Sequence, residues 1–223
     1  MKRSEINALI EDAKIFFEAM NFRLPKWAFW KPEEWKGMGD TEIVANQLGW
    51  DLTDYGAGRF EERGLILFTI RNGNLQSGHP KPYAEKIMIV RENQICPMHF
   101  HWSKMEDIIN RGGGNLVIDL HGSNENEEFS GKPVTVMMDG IAHTVEPGGS
   151  VVLEPGESIT LEKGVYHRFY GEPGKGNVLV GEVSSVNDDN TDNRFHRSMP
   201  RFPDIDEDET PVHLLCTDYP KYI

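Results

Sequence analysis

The hydrophobic pattern divides the chain into a helical beginning and a long series of strands. Near the N-terminus, apolar residues recur three or four positions apart, which gives a helix one apolar face. These residues are Ile6, Leu9, Ile10, Ala13, Phe16, Phe17 and Met20. Ser4 is a suitable N-cap for this helix, and Pro25 limits its continuation. Residues 40–48 predict a second, short helix, which Gly49 can end in a left-handed conformation.

Beyond residue 64, the pattern changes to short apolar and β-branched runs separated by turn residues. The predicted strands are 65–70, 85–90, 95–102, 115–120, 134–138, 141–145, 150–153, 158–161, 165–170 and 177–183. Many short strands without intervening helices are typical of a sandwich or a barrel. We therefore expect one mainly β domain, with a helical N-terminal part (1–63), a β-barrel (64–186) and an irregular C-terminal arm (187–223).

Composition limits the partners that the chain can have. The 36 acidic and 23 basic residues give a formal charge of −13, which argues against surfaces for nucleic acid or anionic lipid. The acidic run 204–209 is expected to be a solvated segment. No apolar run approaches the roughly 20 residues of a membrane span, and no signal-peptide pattern is visible. Cys96 and Cys216 are the only cysteines, so we expect no disulfide framework and a cytoplasmic location.

Four side chains have the spacing of metal ligands. His99 and His101 are two positions apart in a predicted strand, so their side chains point to the same face. Glu106 follows closely, and His167 comes about sixty residues later. Imidazoles together with a carboxylate suit a divalent ion such as Mn²⁺, Fe²⁺, Co²⁺, Ni²⁺ or Zn²⁺. In an octahedral shell, four such ligands leave two positions for substrate or water.

The residues around these ligands resemble the two cupin motifs and, more narrowly, the cupin D-lyxose isomerases. The cupin motifs are represented by His99, His101, Glu106, Gly113, Gly156, Gly164 and His167. Glu162 stands where the second motif usually has proline, and Gly171 stands in place of its terminal asparagine. The segments similar to the narrower family are 99–107, 181–184, 187–193 and 201–220.

This resemblance implies a jelly-roll β-barrel, a preference for Mn²⁺ and a homodimer. It also implies interconversion of D-lyxose and D-xylulose, with D-mannose and D-fructose as side substrates. The metal would chelate the C1 and C2 oxygens of the open-chain sugar and stabilise the charge of a cis-enediol formed by proton transfer. A hydride shift between the two carbons is a rival route on the same scaffold.

Lys104 and Glu182 are the candidate catalytic residues. Lys104 precedes Glu106 by two positions, so a regular strand would turn both side chains inward, although a surface lysine is the alternative. Glu182 lies in a mostly apolar strand, which suggests a general base, with a salt-bridged strand end as the alternative. Asp192 and Arg194 lie in the polar segment that follows and could bind sugar hydroxyls, but solvated loop residues are equally common.

Other interpretations stay open. An iron-dependent cupin dioxygenase or a non-catalytic sugar-binding cupin can have the same ligands, and Arg194, Arg197 and Arg201 are compatible with a phosphosugar isomerase. The tryptophans in residues 27–35 could line a sugar site, although core or subunit contacts are favoured. The C-terminal arm can cover its own site or a neighbouring subunit's. The other histidines are interpreted as surface or hydrogen-bonded residues: His79, His121, His143, His196 and His213.

Overall fold

The computed structural model describes residues 1–75 and 80–223, so His79 lies outside the described residues. The helices are α1 (Arg3–Ala19), α2 (Glu42–Ala45) and α3 (Tyr219–Tyr222), with 3₁₀ turns at Lys26–Phe29, Pro32–Trp35 and Cys216–Asp218. The strands are β1 (Gly49–Thr53), β2 (Leu65–Arg71), β3 (Tyr83–Val90), β4 (Cys96–Phe100), β5 (Glu106–Gly113), β6 (Leu116–Gly122), β7 (Val134–Met138), β8 (Ile141–Val145), β9 (Ser150–Leu153), β10 (Ser158–Leu161), β11 (Val165–Gly171), β12 (Val178–Ser185) and β13 (Arg194–Phe195).

The strands form two antiparallel sheets that face each other. One sheet has eight strands in the order β1-β2-β3-β12-β5-β10-β7-β8, and the other has five in the order β13-β4-β11-β6-β9. No ladder joins the two sheets within the described residues, so the predicted barrel is a pair of facing sheets rather than one closed surface. Inward side chains from both sheets form the main core, and they include Leu67, Met88, Ile108, Ile118, Leu120, Val136, Ile159, Phe169 and Val180.

Helix α1 covers the outer face of the larger sheet with the apolar face that the sequence predicts. Phe17 is 1% exposed, and its ring stacks on Trp50 of β1 at a centroid distance of 6.1 Å. The predicted N-cap is wrong, because Lys2 occupies that position. Ser4 instead bonds to the Asp208 carboxylate through its backbone N–H and its hydroxyl. None of the helices described here is long and apolar enough to cross a membrane.

Four strands differ from the prediction. β1 lies inside the part predicted to be helical and pairs with β2, so residues 1–63 are not purely helical. The inward residues of β5 include Glu106 and Asn110, which leaves no clear apolar alternation. β13 is only two residues long, and the predicted strand 95–102 ends at Phe100, where the chain turns.

The C-terminal arm returns along the N-terminal helix. Arg3 is fully buried and pairs with Asp218 at 2.8 Å and with Glu207 at 2.8 Å. The acidic run is exposed as expected, but it also holds the first residues of the chain, because Asp204 accepts a bond from the N-terminal ammonium through its backbone carbonyl. The tryptophans of residues 27–35 pack with Tyr219 in a separate apolar cluster, as the favoured core interpretation predicts.

Candidate metal centre and active site

Strand pairing brings the three histidines together. β4 and β11 are antiparallel neighbours in the smaller sheet, and their register places His99 directly opposite His167. His101 follows the end of β4, and Glu106 is the first residue of β5 in the facing sheet. The four predicted ligands therefore meet between the two sheets, at one end of strands that are far apart in sequence. All four are less than 10% exposed.

Each histidine is oriented by a backbone carbonyl. The Nδ1 atoms lie 2.7 Å from the Pro97 carbonyl for His99, 2.5 Å from the Asp192 carbonyl for His101 and 3.0 Å from the Val165 carbonyl for His167. Such bonds fix the tautomer with the proton on Nδ1, so each Nε2 presents a lone pair. One ring nitrogen from each histidine lies within 4.8 Å of the others.

Glu106 completes this donor set. Its Oε1 lies 3.1 Å from Nε2 of His167 and 3.5 Å from Nε2 of His101. Burial lowers the pKa of His99 and of His101, and the Lys104 ammonium lowers that of His101 further, so both imidazoles are neutral. Three imidazoles and one carboxylate that lie this close together fit a divalent transition-metal ion.

A buried lysine connects this centre to a second carboxylate. Lys104 Nζ lies 2.6 Å from Oε2 of Glu106 and 2.8 Å from Oε1 of Glu182. Burial alone would lower the pKa of Lys104, but the two carboxylates outweigh it and raise that pKa, so the ammonium stays charged. Burial opposes the charge of Glu106, yet the Lys104 ammonium holds its pKa well below the usual range.

Lys104 reaches this position for a reason other than strand alternation. The premise that Lys104 and Glu106 share a regular strand is wrong, because the chain turns between β4 and β5. The turn is held by Asp192, whose carboxylate oxygens accept bonds from the backbone N–H groups of Ser103 and Lys104, each at 2.8 Å. The conclusion that both side chains point inward is nevertheless consistent with their contact at 2.6 Å.

Further charges of alternating sign extend from Glu182 into the interior. Lys86 Nζ lies 3.4 Å from Oε1 of Glu182 and 3.7 Å from Oδ2 of Asp189. Asp189 is in turn 3.3 Å from Arg201, which also pairs with Asp51 of β1. Neither Lys86 nor Asp189 is a candidate site residue from sequence alone. Lys86 could have been noticed as a charged residue directly before the apolar run of β3. Asp189 lies among several polar residues, and nothing in the sequence distinguishes it from them.

The residues predicted to bind sugar occupy different places from the catalytic candidates. Neither Asp192 nor Arg194 lines the cavity beside the histidines, whereas Asn193 between them does. Arg194 donates from Nε to Glu127 at 2.9 Å. Arg201 of the C-terminal arm also lines the cavity. The full lining comprises Tyr55, Leu65, Leu67, Lys86, Met88, Cys96, His99, His101, Lys104, Glu106, Ile108, His167, Phe169, Glu182, Asp189, Asn193, Phe195 and Arg201.

Comparison with known proteins agrees with this geometry. A family model described as D-lyxose isomerase matches residues 1–219. The chain belongs to the D-lyxose isomerase family. Two relatives named D-lyxose/D-mannose isomerase, from Serratia proteamaculans and Escherichia coli O157:H7, are each 46% identical to it over the full length of both proteins. Membership of this family makes the chain an aldose–ketose isomerase and disfavours the dioxygenase and the non-catalytic cupin.

Solved structures support the fold of this D-lyxose isomerase family member. The L-ribose isomerase of Acinetobacter sp. DL28, solved with L-ribose, aligns with a TM-score of 0.60 at 17% identity, covering 89% of this chain and 93% of that one. The L-ribose isomerase of Cellulomonas parahominis, also with L-ribose, gives 0.61 at 15% identity, covering 92% and 98%. The predicted mainly β, cupin-type jelly roll is confirmed.

Proposed function

We propose that the protein interconverts D-lyxose with D-xylulose and, as a side activity, D-mannose with D-fructose. The observation that carries this proposal is the placement of a charged Lys104 between Glu106 of the histidine centre and a second carboxylate, Glu182. The names of the two relatives at 46% identity, D-lyxose/D-mannose isomerase, support the choice of sugars. A ligand set and an acid–base pair side by side are what an aldose–ketose isomerase requires.

The residues that would hold a divalent ion are His99, His101, Glu106 and His167. The chemistry that such an ion supplies is Lewis-acid polarisation of the oxygens on C1 and C2 of the open-chain sugar. Mn²⁺ is our preferred metal because isomerisation needs no change of oxidation state, and Co²⁺, Fe²⁺, Ni²⁺ and Zn²⁺ share the donor preference. The preorganised Nδ1 bonds keep the imidazoles oriented before any ligand arrives.

Glu182 is the group that we assign to proton transfer. Its Oε1 faces both Lys104 and Lys86, and no partner is seen for its Oε2 within residues 1–75 and 80–223. That free oxygen can take the proton from C2 and return it to C1. Lys104 keeps its positive charge and can donate a hydrogen bond to a sugar oxygen as negative charge develops on it. Asp192 positions the backbone of Lys104, and we retain Arg194 as a residue bordering the sugar site.

Charge pairing in the cavity favours an unphosphorylated substrate. Each of the cationic side chains that line it, Lys86, Lys104 and Arg201, already faces two carboxylates. A phosphoryl group would need at least one cation free to bind it, usually an arginine that can form two parallel bonds. Arg194 and Arg197, which the sequence offered for that role, do not line the cavity.

Isotope exchange during turnover tests both the reaction and its route. Metal-stripped protein with added Mn²⁺ is assayed with D-lyxose, D-mannose and other aldoses in deuterated water. Proton transfer predicts solvent deuterium at C1 or C2 of the product, and a hydride shift predicts full retention of the substrate's own hydrogen. Turnover of a sugar phosphate in preference to free aldoses, or no aldose turnover at all, would contradict the proposed function.

We also propose that the protein is a cytoplasmic homodimer. Two cysteines that are buried and unpaired, Cys96 and Cys216, support a reducing compartment. The dimer follows from the family resemblance, and light scattering of the purified protein at several concentrations tests it. A single mass close to 25.4 kDa at every concentration would contradict the dimer.

A further inference from the structure

One residue in the β6–β7 connection, Glu127, joins three segments that surround the histidine centre, two through its carboxylate and one through its backbone carbonyl. Glu127 accepts a bond from the indole Nε1 of Trp102 at 2.8 Å on one oxygen and from Nε of Arg194 at 2.9 Å on the other. Its backbone carbonyl accepts a bond from the Tyr166 hydroxyl at 2.6 Å. Hydrogen bonds from Trp102 and Arg194 lower the pKa of Glu127, so it is ionised at neutral pH.

Each partner of Glu127 lies next to a residue of the site. Trp102 directly follows His101, and Tyr166 directly precedes His167. Arg194 follows Asp192, whose backbone carbonyl accepts the His101 Nδ1 bond, and Asn193, which lines the cavity. Glu127 itself does not line that cavity. It can therefore act on the reaction only through the residues that it holds.

The backbone at Glu127 points to a role for its side chain. Its φ is +62°, in the left-handed region that favours glycine or asparagine over glutamate. The loop is closed by its own bonds, including one from the Glu127 N–H to the Asn124 carbonyl at 2.9 Å. If the only role of this residue were to form the turn, glycine or asparagine would suit its positive φ better than glutamate. The carboxylate and its two bonds offer a reason for glutamate there.

We infer that Glu127 is a positioning residue, which fixes His101, His167 and the 192–194 segment in the arrangement that binds metal and sugar. The inference rests on the proposed function for its effect on turnover, but its effect on metal binding does not depend on which sugar is used. It also gives Arg194 a role through Glu127. The loop acts as a clamp across the end of β4, the start of β11 and the arm that carries β13.

Substitutions that accept the backbone conformation at residue 127 test the role of the carboxylate without disturbing the turn. Glu127→Asn and Glu127→Gly both accept a positive φ but remove the reach of the carboxylate. We expect the Kd for Mn²⁺ to rise about tenfold, the lower end of the range for groups that orient metal ligands. The visible absorption spectrum of the Co²⁺-loaded protein should change, whereas the melting temperature of the metal-free protein should stay close to that of the wild type.

Two further variants make the result specific. Glu125→Asn changes an exposed acid of the same loop with no side-chain bond among the described residues, and it should leave the Mn²⁺ Kd and the Co²⁺ spectrum unchanged. Trp102→Phe keeps a ring but removes the donor to Glu127, and it should weaken Mn²⁺ binding in the same direction as Glu127→Asn. It also tests the inference if the Glu127 variants fail to fold.

Wild-type Mn²⁺ affinity and an unchanged Co²⁺ spectrum in both Glu127→Asn and Glu127→Gly would overturn the inference. An equal loss of affinity in Glu125→Asn would overturn it as well, because the effect would then belong to the charge of the loop. If the wild type converts no aldose but the Glu127 variants still bind Mn²⁺ more weakly, the proposed function fails and the positioning role stands.

Discussion

Glu182 shows how a single residue can be tested apart from the metal centre. It contacts Lys104 and Lys86 but none of the four predicted ligands in the described structure. Glu182→Gln preserves the shape of the side chain while removing its capacity to accept a proton. We expect the Mn²⁺ Kd to stay within about twofold and kcat to fall by about 10²–10⁴, the contribution typical of a general base. Titration of Mn²⁺ and steady-state assays measure the two quantities, and a near-normal kcat would rule out this base.

His101→Ala, unlike Glu182→Gln, is expected to lose bound metal as well as turnover. His101→Ala removes one imidazole and leaves the Asp192 carbonyl without its ring partner. We expect it to lose most bound metal and nearly all turnover, because the three remaining groups cannot complete the donor set. His143→Ala, on the exposed face of β8, is the matched control and should retain both. Metal content by elemental analysis checks this, and a His101→Ala protein with a full equivalent of metal would contradict the ligand assignment.

At the scale of elements, helix α1 is held by one face. Phe17 is 1% exposed against Trp50, whereas Ile15 on the same helix is 68% exposed. Phe17→Ala should reduce the free energy of unfolding by about 3–5 kcal/mol through lost burial and a cavity. Ile15→Ala should change it by no more than about 0.5 kcal/mol, because an exposed side chain loses little on truncation. Chemical denaturation of the two variants measures both values, and equal losses would show that α1 is not packed as described.

Strands whose residues alternate cleanly could be predicted from sequence. β7 is an example, since the buried Val134 and Val136 flank an exposed Thr135. β5 could not be found in this way, because Glu106 and Asn110 point inward with Ile108. Inward polar residues serve the site or the backbone there, since the Asn110 amide bonds to the carbonyl groups of Gly114 and Leu153. Function and local structure thus hide the strand that carries a predicted ligand.

The same limit applies to the site. The four predicted ligands could be proposed from sequence because residue type and spacing mark them in two short segments, residues 99–106 and the segment that ends at His167. The pairs Lys86–Glu182 and Asp189–Arg201 depend on how β3, β12 and the C-terminal arm come together, which no local pattern encodes. Lys104 is buried although it does not lie in a strand, because it sits in the turn whose backbone N–H groups bond to the Asp192 carboxylate. Long-range polar contacts are therefore where the structure adds most.

At the scale of the whole molecule, the two ends of the chain are fastened together by ion pairs. Arg3 at the start of α1 is buried against Asp218 and Glu207 of the C-terminal arm. The same arm supplies Arg201 to the cavity, where it pairs with Asp51 and Asp189. Loosening the arm at the N-terminal helix should therefore also affect the site. The C-terminal arm therefore connects helix α1 to the proposed catalytic site through one continuous segment.

Acid stability tests this fastening. The bonds from Arg3 lower the pKa of Glu207 from its ordinary value of 4.5 to about 2. A carboxyl whose pKa is depressed by folding stabilises the native state fully above pH 4.5, and this contribution is lost as the pH falls toward 2. Glu207→Gln should thus be less stable than the wild type at pH 7, by at most about 1 kcal/mol because Glu207 is partly exposed. The difference should shrink steadily through that acidic window.

Glu33→Gln is the matched control, since Glu33 is exposed and forms no ion pair within the described part of the chain. Its unfolding curves should follow those of the wild type at every pH. Urea unfolding at several values between pH 2 and 7 compares the three proteins. A Glu207→Gln deficit that persists unchanged at pH 2 would mean that the side chain acts through its shape rather than its charge. Arg3 would then be held mainly by Asp218, and the acidic run would owe its position to the backbone bond between Arg3 and Asp206.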